Sequence, residues 1–116
     1  MRWSRYLLIA GCLLWAGGAA GDPMNAPSLQ SADDLYMACG GGEAQRRVCE
    51  GYVMGVADIM ETGIVFNGYK MCIITVVKAE QLRAVLLKWL QQHPERRSYS
   101  GASVTAAALA EAFPCR

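Results

Sequence analysis

The sequence predicts an all-α fold, a small helical bundle of four to five helices stapled by two disulfides. Three observations lead there. Apolar residues recur at helical spacing in separate stretches between Ala32 and Ala112. Four cysteines, Cys39, Cys49, Cys72 and Cys115, lie behind an N-terminal stretch with the pattern of a secretion signal. The roughly 95 residues beyond that signal make one domain of a size at which buried area alone gives marginal stability, so that covalent staples are a common remedy.

The signal comes first. Met1 to Tyr6 carries two arginines and no acid, Leu7 to Trp15 is apolar, and Gly17-Gly18-Ala19-Ala20-Gly21 supplies the small residues of a cleavage site. The apolar run is shorter than the roughly 20 residues that span a bilayer. Cleavage after Ala20 or Gly21 makes 1–21 the signal peptide and removes Cys12. An even number of cysteines remains, suited to an oxidising compartment, here the periplasm. Ile9-Ala10-Gly11-Cys12 also resembles a lipobox that would lipidate Cys12. Only about five apolar residues precede that cysteine, however, against the roughly 7–15 of a usable apolar region. The favoured product is therefore soluble and periplasmic, with no membrane insertion after cleavage. Losing Arg2 and Arg5 turns the whole-chain net charge of +1 into about −1, with charges scattered, so neither nucleic acid nor an anionic membrane surface is implied as partner.

Residues 22–30, with prolines, an asparagine and a serine, read as a flexible mature N-terminus ahead of a helical domain over 31–116. Ser31 and Asp34 form a capping box in which the shorter acid replaces glutamate, and Leu35, Tyr36 and Ala38 follow, predicting a first helix over about 32–39. Gly40-Gly41-Gly42 ends it. Glu43 opens a longer second helix whose expected apolar face is Val48, Tyr52, Val56, Ile59 and Met60. Gly51 and Gly55, four apart in that helix, are expected to leave a groove for close helix packing, since each costs about 1 kcal/mol relative to alanine. From Gly63 to Thr75 the helical period disappears, which leaves a β-hairpin or a long irregular loop. Thr75 is the expected N-cap of a third helix, with Leu82, Val85, Leu86, Trp89 and Leu90 spaced i, i+3, i+4, i+7, i+8 and an end at Gln92-His93-Pro94. A fourth, alanine-rich helix runs from about Ser100 or Ala102 to Ala112.

No catalytic set is found in this pattern, and no cofactor or metal is expected. The only histidine, His93, sits at a helix end beside proline, where a partly positive ring suits the helix dipole. No C-x-x-C pair occurs, which argues against a zinc site and for disulfides. Asp58 and Glu61, three apart on the second helix, read as solvated surface charges rather than as a catalytic pair. Counting alone leaves three disulfide pairings open. The glycine-rich turn between the first two helices brings Cys39 to Cys49, which leaves Cys72 for Cys115.

Several strings taken together carry a family resemblance: Cys49-Glu50-Gly51-Tyr52-Val53-Met54-Gly55-Val56-Ala57-Asp58, the Cys72 after an aromatic loop, Gln81-Leu82, Trp89-Leu90-Gln91-Gln92-His93-Pro94-Glu95, and the closing Ala107-Ala108-Leu109-Ala110-Glu111-Ala112-Phe113-Pro114-Cys115. In this order they resemble the Rap/Tai immunity proteins of type VI secretion systems. One departure is Ile74, where such sequences often carry proline; it bears on the loop conformation, not the fold. The resemblance implies a periplasmic, non-enzymatic inhibitor that binds a cognate secreted peptidoglycan amidase toxin and occludes its active site, with a homodimer as a further possibility. A small stress-response or chaperone-like binding protein is the alternative. The expected partner-binding residues are Phe66, Asn67, Tyr69 and Lys70 in the loop and Glu95, Arg96, Arg97 and Tyr99 in the later turn, because both segments interrupt helices and combine aromatic residues with charge.

Overall fold

The computed structural model describes residues 29–116, and the expected signal peptide and most of the 22–30 segment lie outside them. Four helices form: α1 (Ala32–Cys39), α2 (Glu43–Glu61), α3 (Ala79–Gln92) and α4 (Gly101–Ala112), with a single 3-10 turn over Pro94–Arg96 between the last two. Every helix packs against the other three.

The start of α1 follows from its capping box. The Asp34 N–H donates to Ser31 Oγ at 3.0 Å and the Ser31 N–H donates to the Asp34 carboxylate at 3.1 Å, satisfying two donors that the first helical turn leaves open. The Ser31 N–H holds the Asp34 carboxyl below its ordinary pKa, with the Ser31 hydroxyl adding to the effect.

The turn into α2 carries the first disulfide, Cys39–Cys49, with Cα atoms 5.0 Å apart; the second, Cys72–Cys115, spans 4.9 Å and ties the long loop to the C-terminus. The first bridge also corrects the expected face of α2. Cys49, Val53, Ala57 and Met60 are buried, whereas Val48 and Ile59 are more than half exposed and Tyr52 and Val56 lie at the flank. Two apolar stripes run along this helix one residue apart, and periodicity does not choose between them. The bridge does, because it turns Cys49 and the stripe that follows it inward. Gly51 and Gly55 consequently face solvent with nothing within 4 Å of where a Cβ would stand, so they leave no packing groove.

Close packing belongs instead to α4. Gly101 and all the residues from Val104 to Leu109 are buried, so this helix is enclosed on nearly every side, as an apolar helix at the centre of a bundle is. Ala106, Ala107 and Ala108 let the neighbouring helices come near. At its start, Gly101 N–H donates to Gln30 O and Ala32 N–H donates to Tyr99 O, both at 2.9 Å, which joins the N-termini of α1 and α4 side by side. Tyr52 reaches this junction, and burial pushes its hydroxyl above the ordinary tyrosine pKa.

The third helix begins later than its sequence suggests. Lys78, not Thr75, is its N-cap, and the Gln81 side chain reaches back to accept from Lys78 N–H at 2.8 Å. Ile73, Ile74, Thr75, Val76 and Val77 are all β-branched, and such residues lose side-chain freedom in a helix, so Thr75 sits in an irregular stretch and caps nothing. The rest of α3 keeps its predicted face, with Leu82, Leu86, Trp89 and Leu90 buried and Val85 packed at the edge.

Candidate partner-binding site

The 66–70 loop is a hairpin reduced to its tip. Phe66 and Tyr69 exchange both backbone hydrogen bonds, at 3.0 and 2.8 Å, around Asn67 and Gly68. Both central residues have positive φ, 50° and 83°, as a tight two-residue turn with primed geometry requires and as an Asn-Gly pair allows. Outside this pair the stretch from Gly63 to Val77 is irregular, so it is a long loop with one bridge in it.

The expected contact residues divide by what already holds them. Phe66 and Tyr69 pack against the core. Asn67 Nδ2 donates to Ser103 Oγ at 2.6 Å, and Ser103 is bonded in turn to the Ser100 cap of α4. The 95–99 turn joins α4 directly, so the loop and the turn meet at the N-terminal end of that helix. Within the turn, Arg97 donates from Nε and Nη2 to Leu90 O, at 3.1 and 3.0 Å, and its guanidinium lies 3.7 Å from the centre of the Tyr36 ring. That geometry makes Arg97 a clamp between the end of α3 and α1. Arg96 sits between the rings of Trp89 and Tyr99, at 6.0 and 5.6 Å. Lys70, Glu95 and Tyr99 remain exposed, Tyr99 by 52%.

His93 stacks on Trp89 with ring centres 3.9 Å apart, and its Nδ1 lies 2.8 Å from Trp89 O. A carbonyl only accepts, so Nδ1 carries the proton and donates. The ring thus closes the end of α3 while Trp89 Nε1 donates to Glu111 on α4 at 3.0 Å. All four described cysteines are in disulfides, and among the described residues no three of histidine, cysteine, aspartate and glutamate gather closely enough to hold a metal ion. No described helix is long and apolar enough to cross a membrane.

A surface that the residue pattern did not single out lies further along the loop. Ile74 and Val76 are 91% and 94% exposed on either side of a bend at Thr75, and together with the C-terminal half of α2 they border a groove of about 470 Å³. The run of five β-branched residues from Ile73 to Val77 was the available signal. It favours a strand, and no partner strand is found for it elsewhere in the helical pattern.

A two-disulfide, four-helix domain thus begins at Ser31 and closes on Cys115. A family model, that of the Rap1a immunity proteins, matches residues 31–115, the same span. The chain belongs to the Rap1a immunity proteins. Among curated proteins none matches it. As a Rap1a immunity protein it acts against a secreted effector, in a family that is generally non-enzymatic.

Proposed function

We propose that this Rap1a immunity protein acts in the periplasm, where it binds a peptidoglycan amidase delivered by type VI secretion and occludes its active cleft. The family match across the entire described domain carries this reading. The architecture agrees with it. Two disulfides and a four-way helix packing fix the loop and the turn before any partner arrives, and a preorganised inhibitor loses less entropy on docking. A periplasmic site is supported by the signal-like 1–21 segment and by disulfides that persist in oxidising compartments. The exposed end of the contact surface is formed by Tyr99, Glu95 and Lys70, with Arg96 held in place beneath Tyr99 by two aromatic rings.

The test is protection. The effector encoded beside this protein is directed to the periplasm with and without it, and lysis is followed. Lysis suppressed only when the folded protein is present supports the proposal. Equal lysis in both cultures removes it for that effector. The chaperone alternative has one observation in its favour, the exposed Ile74 and Val76. Their segment is pinned at Cys72 by the second disulfide and at Lys78 by the α3 cap, and is therefore poorly suited to adapt to many unfolded clients.

A further inference from the structure

We infer that the groove between the C-terminal half of α2 and the 73–77 segment is a docking surface for a polypeptide that presents a lysine or arginine flanked by apolar side chains. Taken with the immunity reading, on which this identity rests, the occupant is such a segment of the effector.

The groove is lined by apolar and acidic side chains together. Met54 and Ala57 line it from α2, Leu82 from α3 and Ile74 and Val76 from the loop, and the α2 acids Asp58 and Glu61 line it beside them. Apolar side chains exposed by more than nine-tenths, clustered on one wall, mark a surface that gains by being covered. The charge says by what. Neither Asp58 nor Glu61 forms an ion pair among the described residues. Both lie in the last turn of the 19-residue α2, which has no basic residue there, so they add to the negative end of the helix dipole instead of offsetting it. Lys78 lies just beyond the segment and does not line the groove. An incoming cation relieves this crowding of negative charge. A second copy of the chain does not, because a two-fold contact sets the same acidic patch against itself.

The backbone points to a polypeptide. No hydrogen bond among the described residues engages the N–H or C=O groups from Ile73 to Val77. They stand open to main-chain pairing on either side of the bend, the mode by which an extended segment adds to an unpaired edge. The edge is held ready, since Cys72 N–H donates to Phe113 O at 2.9 Å beside the Cys72–Cys115 bridge and the α3 cap fixes the other end.

The experiment pans a displayed library of random dodecapeptides against the oxidised, processed protein and measures one enriched peptide by titration against three proteins: wild type, Asp58→Lys/Glu61→Lys, and Ile74→Asp. Positive charge at a helix C-terminus favours the helix, so the double variant keeps its fold, which circular dichroism checks. Enriched peptides should carry lysine or arginine beside apolar residues, lose at least tenfold in affinity for each variant, and regain it for the double variant when their basic residue becomes glutamate. Acidic peptides, no enrichment, or affinity unchanged by the variants overturns the proposal. So does a wild-type dimer that Ile74→Asp splits, which assigns the groove to a second copy. The same variants enter the lysis assay. Full protection by a folded Asp58→Lys/Glu61→Lys protein rules out the effector as occupant while leaving immunity intact; peptide binding without wild-type protection supports the groove and removes the proposed immunity against that effector instead.

Discussion

At Gly101 a single hydrogen in place of a methyl group decides whether two helix N-termini can meet. A Cβ there would stand 2.8 Å from Gln30 O, 2.8 Å from Leu35 Cδ1 and 3.2 Å from the Tyr52 hydroxyl, and the first of these is backbone that cannot swing away. Gly101→Ala is expected to destabilise by about 1–3 kcal/mol, the range for overpacking a tight site. Gly51 and Gly55 offer the opposite case, since both are exposed inside α2 with open space around them. Gly51→Ala and Gly55→Ala should each stabilise by about 1 kcal/mol. Urea unfolding reads all three, and an unchanged midpoint for Gly101→Ala would refute the close approach. The sequence shows every glycine but not which one touches a neighbour, because contact between residues far apart in the chain leaves no local pattern. Asp34 was legible, because a capping box is local. Its folded pKa lies below the unfolded value, so its contribution is complete above the ordinary aspartate pKa and fades as the pH falls through the folded one. Stability curves of wild type and Asp34→Asn should therefore differ at neutral pH and converge in strong acid; a constant gap at all pH values would contradict the assignment.

Among the elements, α1, α4 and the body and end of α3 could be read because caps, proline and periodicity act within a few residues, whereas the start of α3 was placed too early, at Thr75 instead of Lys78. The rotation of α2 could not, because Val48-Tyr52-Val56-Ile59 and Cys49-Val53-Ala57-Met60 are both apolar stripes and only a tertiary bond selects the second. That dependence makes the disulfides a test of the elements they join. Cys39–Cys49 closes a separation of 10 residues and Cys72–Cys115 one of 43. The loop-entropy estimate gives about 3 kcal/mol for the shorter and about 4 kcal/mol for the longer. Cys39→Ala/Cys49→Ala is expected to lose less stability than Cys72→Ala/Cys115→Ala, as measured by urea unfolding. In the second variant the Cys72 N–H, which donates to Phe113 O beside the bridge, should also lose hydrogen-exchange protection ahead of the helices. The reverse order of stabilities would mean that strain or residual unfolded structure, not loop length, sets the contribution of each bridge.

For the whole molecule, α4 is the ruler. Its 12 residues span about 18 Å, with the 66–70 loop and 95–99 turn at its N-terminal end and the Cys72–Cys115 bridge beyond its C-terminal end. A protein interface of ordinary size covers about 800 Å² on each partner, enough to reach from one end to the other. Only the N-terminal part of this proposed surface was singled out from the sequence. Aromatic residues and charge in a turn are a visible pattern, whereas the exposure of Ile74 and Val76 results from how the loop is pinned after folding. Of the two tyrosines among the expected contact residues, Tyr99 is the better probe. Tyr69 packs against the core, so its truncation removes folding contacts along with any binding contact. Tyr99 is 52% exposed and rests on Arg96. Tyr99→Ala is accordingly expected to weaken effector binding by about 2 kcal/mol or more, the range of an interface hot spot, with the urea midpoint nearly unchanged. Tyr69→Ala should lower the midpoint as well. Calorimetric titration of the effector against both variants, alongside unfolding curves, separates the two effects. A Tyr99→Ala protein that binds as tightly as wild type would move the interface away from the turn and towards the far end of α4.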